Sequence, residues 1–137
     1  MTAKKTQQLR IIMSNEQISD LRSKADQGDA MAQNALGVLY DKGKAITKNC
    51  AMAREWYEKA ATQGYALAQY NLGGLYEAER GVQQDYVRSY MWYGLAAQGE
   101  PRYRDYVDEK LVRLKKVMTP QQLQEAQRLA RNWTAKK

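Results

Sequence analysis

GDAMAQNALGVLY, Gly28 to Tyr40, and GYALAQYNLGGLY, Gly64 to Tyr76, are two versions of one segment. Each is followed by a Trp-Tyr segment, EWYEKAATQG from Glu55 to Gly64 and MWYGLAAQG from Met91 to Gly99. At an offset of 36 residues Gly28, Ala30, Ala32, Gln33, Leu36, Gly37, Leu39, Tyr40, Trp56, Tyr57, Ala60 and Ala61 recur unchanged, twelve matches in the 34 aligned positions from 28 to 61. A period of this length marks stacked helical repeats. Such an array works by presenting a surface, so the repeat is the strongest functional clue in the chain.

The spacing inside each copy is helical. Ala32, Leu36 and Tyr40 recur at i+4 and predict a helix over 29–42, stopped by Gly43. Asn49 is the predicted cap of a helix over 50–62, with Ala53, Trp56, Tyr57, Ala60 and Ala61 as its buried stripe. The second copy predicts helices over 65–78, carrying Ala68, Leu72 and Tyr76, and 86–98, carrying Tyr90, Trp92, Tyr93, Ala96 and Ala97. Between them Glu79-Arg80-Gly81 turns the chain, Val82 plugs inward and Asp85 caps. One residue is missing before Gly99, so the period slips to 35 there. Gly37 and Gly73 sit in mid-helix, at a cost of about 1 kcal/mol each against Ala. Close approach of a neighbouring helix, with Trp56 or Trp92 packing into the gap, offsets that cost.

Flanking segments fit the same plan. Ser14 with Gln17 forms a capping box for a helix over 15–27, in which Ile18, Leu21 and Ala25 share a face. Residues 1–13 are expected to be a flexible tail. At the other end, aligning Gly99 with Gly28 puts Tyr103, Val107 and Leu111 on the apolar stripe of a helix over 101–117. Thr119-Pro120 then starts a last helix, with Leu123, Ala126, Gln127, Ala130 and Trp133 as its main stripe. This pair reads as a cap with a charged outer face. Ala135-Lys136-Lys137 is expected to fray. The expected organisation is one helical domain over 14–134, with repeats at about 28–63 and 64–99 and a cap at about 100–134.

Composition narrows the function classes. The 137 residues include ten Tyr, three Trp and no Phe, so aromatic packing is done by rings with a polar handle. The net charge is +7, but residues 25–100 carry seven basic and nine acidic side chains, whereas 101–137 carry ten and four. A nucleic-acid or membrane-surface role would fall to the ends rather than to the repeats. No apolar run approaches the roughly 20 residues of a membrane-spanning helix. Leu9, Ile11, Ile12 and Met13, interrupted by Arg10, are too weak a patch for a secretory signal. The expected location is the cytoplasm, or the periplasm or exterior if a leader has been removed. Cys50 is the lone cysteine, so no intramolecular disulfide forms.

The series A-x-A-Q-x-x-L-G-x-L-Y, then G-V-x-x-D, then W-Y-x-x-A-A-x-Q-G resembles the Sel-one-like repeat, a relative of the tetratricopeptide repeat. The resemblance covers residues 25–100, and 101–134 looks like the C-terminal cap of such proteins. The N-terminal helix looks like the second helix of a degenerate preceding unit. In the first copy Ala45-Ile46 stands for Gly-Val and Asn49 for Asp, keeping the turn and the cap. The resemblance implies an all-α, right-handed α-solenoid of stacked antiparallel helix pairs. It also implies a protein-interaction scaffold, often an adaptor in bacterial signalling, envelope assembly or host contact.

Chemistry is sparse. The chain has no histidine, which removes the commonest base and metal ligand near neutral pH. Cys50 has no histidine to activate it and reads as a structural thiol. There is no phosphate loop, spaced cysteine pair or nucleophile elbow. No catalytic residue, metal site or cofactor is therefore assigned, and the chain is read as a non-enzyme. The Trp-Tyr pairs 56–57 and 92–93 could stack on bases, but the alanines four and five positions on mark them as core.

In tetratricopeptide arrays the first helix of each pair lines the concave face. Mapping by the Leu-Gly-x-x-Tyr anchor puts Asn34, Val38 and Asp41 on that face, then Tyr70, Gly74 and Glu77, then Asp105, Glu109 and Val112 from the cap. This strip of four acids, an aromatic and apolar residues suits a segment bearing basic side chains. A second candidate is the basic patch Arg102, Arg104, Lys110, Arg113, Lys115 and Lys116, extended by Arg128 and Arg131. It could take acidic protein, lipid headgroups or nucleic-acid phosphates. Solubilising the end of the array explains it as well. The preferred reading is a monomeric adaptor or scaffold that binds another protein through the concave face. An immunity or inhibitor protein is a variant of that reading, and a phosphate-seeking binder is the alternative.

Overall fold

The computed structural model describes residues 13–79 and 84–136. The expected tail over 1–13 lies almost wholly outside these residues, as do Arg80, Gly81, Val82 and Lys137. Among the described residues there are seven α-helices and no strand: α1 (Asn15–Asp26), α2 (Ala30–Lys42), α3 (Cys50–Thr62), α4 (Ala66–Ala78), α5 (Tyr86–Gly99), α6 (Arg104–Val117) and α7 (Pro120–Asn132). A 3-10 turn, Pro101–Tyr103, precedes α6, so the helix expected over 101–117 enters through a tighter turn. Pro101 follows Glu100, whose extended backbone breaks the run out of α5.

The helices start where side chains satisfy their first N–H groups. Ser14 and Gln17 form the capping box of α1, and Thr119 and Gln122 that of α7. Asp29, Asn49 and Asp85 cap α2, α3 and α5 through bonds of 2.9–3.1 Å. The last two caps are also tied back to the previous helix. Asn49 N donates to Tyr40 O at 2.9 Å, and Asp85 N to Tyr76 O at 3.2 Å. The same covalent spacing therefore folds each first helix onto its second. α4 differs, because Tyr65 stands where Asp29 does and supplies no side-chain cap.

The first five helices pack on their chain neighbours, α1 on α2, α2 on α3, α3 on α4 and α4 on α5. A main core runs through α2 to α5 and includes Ala60, Ala61, Leu72, Leu75 and Trp92. Leu36 joins Ala25 and Ala32 against α1. The mid-helix glycines allow close approach, but of tyrosines rather than the expected tryptophans. A Cβ at Gly37 would lie 2.5 Å from Tyr57 Cδ1, and one at Gly73 2.9 Å from Tyr93 Cδ1. Tyr57 and Tyr93 lie flat on the glycine backbone because a smaller neighbour there leaves room for a whole ring. Trp56 instead lies partly exposed with Lys59 Nζ 4.6 Å over its ring.

The C-terminal unit closes the stack differently from a repeat. α6 and α7 both pack on α5, around Tyr90, Tyr93, Val107, Leu114 and Ala126. α7 then reaches the main core. Trp133 stands edge-on to Trp92, with ring centroids 6.1 Å apart. The following residues do not fray as expected. Lys136 N donates to Thr62 O at 2.7 Å. The positive φ of Gly64 leaves its turn bare, and Ala135 lies against it. The chain thus ends its described course strapped to the junction between the two repeats.

Candidate functional site

The first helices α2 and α4 carry their repeat-specific residues on one stripe each. Met31, Asn34, Val38 and Asp41 are spaced i, i+3, i+7 and i+10, as are Leu67, Tyr70, Gly74 and Glu77. The two helices meet where Asn71, beside the α4 stripe, donates from Nδ2 to Asn34 Oδ1 at 3.1 Å. Met31 is 66% exposed and Leu67 36%, at equivalent places in the two repeats.

α6 continues the strip one position later than the anchor mapping put it. Tyr103 and Tyr70 have ring centroids 6.2 Å apart. Lys110 Nζ lies 5.7 Å from the centroids of both Tyr70 and Tyr93. Arg113 Nε donates to Glu77 Oε2 at 2.9 Å. The stripe is therefore Tyr103 from the 3-10 turn with Tyr106, Lys110 and Arg113 from α6, which keeps the offset of 36 from Leu67, Tyr70, Gly74 and Glu77. The 3-10 turn takes up the residue lost before Gly99 and restores the register. Asp105, Glu109 and Val112 are exposed on α6 beside this stripe rather than facing α4.

The acids of the strip are engaged within the protein. Asp41 is buried and accepts from Tyr57 Oη at 3.3 Å. Glu77 stands in the same relation to Tyr93, whose hydroxyl donates to Glu77 Oε1 at 3.0 Å. Burial, and then the Glu77 charge, raise the Tyr93 hydroxyl pKa, so the phenol stays protonated and donating. The hydrogen bond to Glu77 raises the Arg113 pKa still further. Asn34 is buried, while Val38, Tyr70 and Gly74 are half-buried.

The basic patch is dispersed by similar pairings. Arg102 pairs with Glu100 at 3.3 Å, Arg113 with Glu77, and Lys110 sits over two rings. Arg128 pairs with Glu125 at 2.7 Å. Arg104, Lys115 and Lys116 are exposed on α6. Cys50 is half-buried at the first position of α3. Among the described residues no group of His, Cys, Asp and Glu could hold a metal ion, and no helix is long and apolar enough to cross a membrane.

Sequence reasoning missed Met31, Leu67 and Tyr106 as surface residues; Tyr103, expected on the apolar stripe, is half-buried against the core there. The signal was present for the first two, since both precede Asn34 and Tyr70 by three positions. For Tyr106 it required knowing that a tighter turn absorbs the missing residue.

Paired helices at a fixed period, glycines under a tyrosine ring and a cap folded back on the stack define an all-α solenoid of helical repeats. The chain belongs to the Sel1 repeat family, whose model matches residues 30–65 and 66–100. Sel1 repeat proteins are in general protein–protein interaction scaffolds. Two solved structures of bacterial proteins are similar. One is a protective antigen present in uropathogenic Escherichia coli strains and displaying an SLR fold, 33% identical with a TM-score of 0.77, over 82% of this chain and 24% of that one. The other is a Sel1 repeat protein from Oxalobacter formigenes, 38% identical with a TM-score of 0.63, over 70% of this chain and 38% of that one. This chain thus spans well under half the length of either. No curated protein matches it.

Proposed function

We propose that the chain is a non-enzymatic protein-binding module that seats a segment of a partner protein along the strip made by α2, α4 and α6. The observation that carries this reading is the exposure of Met31 and Leu67 at equivalent places in successive repeats, in line with half-buried Tyr70 and with Tyr106, 65% exposed. Apolar and aromatic side chains left in one row on a repeat scaffold suit an amphipathic or extended segment. Asp41 and Glu77 are held by Tyr57, Tyr93 and Arg113, and the α6 end of the strip is cationic. A partner with apolar anchors and an acidic residue near Lys110 therefore fits better than the basic segment suggested by composition.

The test is affinity capture with the chain as bait, beside a variant carrying Met31→Glu, Leu67→Glu and Tyr106→Glu. These exposed changes leave the helical circular dichroism and the melting temperature nearly unchanged. Partners bound through the strip disappear from the variant, and an unchanged set of partners overturns the assignment. Recovery that survives nuclease and a rise from about 50 to 200 mM salt separates this reading from phosphate binding, which weakens steeply over that range.

A further inference from the structure

The two repeats treat one buried glutamine differently. Gln33 Nε2 donates to Ala25 O at 3.1 Å, and Gln33 Oε1 accepts from Gln63 Nε2 at 2.8 Å. Its copy, Gln69, donates in the same way to Ala61 O at 3.1 Å. Gln69 is 1% exposed, and its Oε1 has no hydrogen-bond partner among the described residues. The reason is local. Gln63 follows the last residue of α3 as its C-cap and reaches Gln33, whereas Gln98 still lies within α5, which runs on to Gly99; both are exposed. An acceptor buried without a donor loses its hydration and gains no bond in return, so a ligand donor there is favoured.

The unpaired oxygen belongs to a residue that lines a cleft of about 390 Å³. One wall is Trp133, Thr134 and Ala135, and the other is Gly64, Leu95, Gln98 and Gly99. No charged side chain lines it. That excludes phosphates and free ammonium groups as preferred occupants and favours a neutral N–H donor. The outer wall is itself a non-helical strip of polypeptide that leaves α7 through the extended backbone of Trp133 and is seated by the bond from Lys136 N to Thr62 O. The surface therefore already accepts extended backbone.

We propose that this cleft is a binding site for a short, extended, uncharged peptide segment of a protein partner, one amide N–H of which donates to Gln69 Oε1. Because that oxygen is buried, the strip Thr134–Lys136 moves outward as the segment enters. The site is separate from the α2–α4–α6 strip and uses the repeat junction instead.

The test titrates the isotope-labelled full chain with the capped tripeptide acetyl-Ala-Asn-Ala-amide, followed by amide and indole chemical shifts. Saturable shifts are expected at Gly64, Leu95, Gln98, Gly99 and Trp133. Analogues in which an ester oxygen replaces one backbone N–H in turn include one that binds about tenfold more weakly, the loss of one amide bond to a buried acceptor. Lys136→Pro removes the N–H that seats the strip and tightens binding. Gln69→Leu removes the acceptor and weakens it, and Gln98→Trp, at an exposed position, fills the cleft and abolishes the shifts while the fold is kept. Shifts that are absent, or that spread away from the cleft, overturn the proposal. So does equal binding of all ester analogues, unchanged binding by Lys136→Pro, or a long-lived water at Gln69 as the sole occupant. None of these results bears on the Met31, Leu67 and Tyr106 variant, so the two sites fail independently.

Discussion

Gly37 and Gly73 show how one missing methyl organises a repeat. Replacing Gly37 by Ala raises helix propensity by about 1 kcal/mol. The added methyl would meet Tyr57 at 2.5 Å, and overpacking of that kind costs about 1–3 kcal/mol. Gly37→Ala is therefore expected to lower stability by up to about 2 kcal/mol in chemical denaturation. Gly73→Ala, with its nearest ring atom at 2.9 Å, is expected to lower it less. A gain in stability from Gly37→Ala would contradict the packing. The tyrosine above each glycine also fixes an acid, and this sets a pH dependence. Burial and Glu77 make folded Tyr93 hold its proton more tightly than the unfolded chain does, whose value is near 10.0. The stabilisation is complete below that pH and is lost as pH rises toward the folded value. Tyr93→Phe is expected to flatten this alkaline loss and to cost about 1 kcal/mol at neutral pH, where one hydrogen bond is gone. Unfolding curves at pH 7 and pH 11 for both proteins check the sign.

At the scale of elements, caps decide where helices begin and a turn decides how they register. Ser14, Asn49, Asp85 and Thr119 were legible because a cap is a local event, read from a side chain and the N–H three residues on. The repeat stripes were legible because burial follows the 3.6-residue period. The α6 stripe was misplaced by one residue, because the length of a 3-10 turn depends on how Pro101 and Glu100 leave α5. The strap after α7 was illegible for a related reason. Its hold comes from Trp92, Gly64 and Thr62, all remote in sequence. Trp133→Ala is expected to cost about 2 kcal/mol, less than a fully buried tryptophan because the ring is half-buried. Thermal melts measure it, and faster amide exchange confined to α7 and the strap would locate it.

Across the whole molecule stability is passed between neighbours, since each helix meets few others. α1 packs on α2, whereas α5 meets α4, α6 and α7. Native-state hydrogen exchange is therefore expected to be fastest in α1 and slowest in α4 and α5, where both cores meet. Equal protection throughout would show a single cooperative block. Charge was legible as a total but not as a property of the surface. Four acids and six cations were expected to face partners, yet Asp41, Glu77, Arg102, Lys110 and Arg113 are engaged within the protein. Residue type and spacing say which helix face a charge occupies. Which partner it meets depends on the register of the next helix.

The fold-back of α7 bears on how such an array could lengthen. Helical repeats multiply by duplication of a unit. The strap grips Thr62 at the end of the first repeat, Gly64 at the start of the second and Trp92 within the second. A copy spliced in ahead of Gly28 leaves every one of these contacts intact. A copy placed between Gly99 and Pro101 requires the new unit to reproduce Trp92 and the junction before it. The repeats are thus open to insertion ahead of Gly28 and fastened behind Gly99, so that lineages with more repeats would keep the second unit, the junction before it and the strap together as one inherited block.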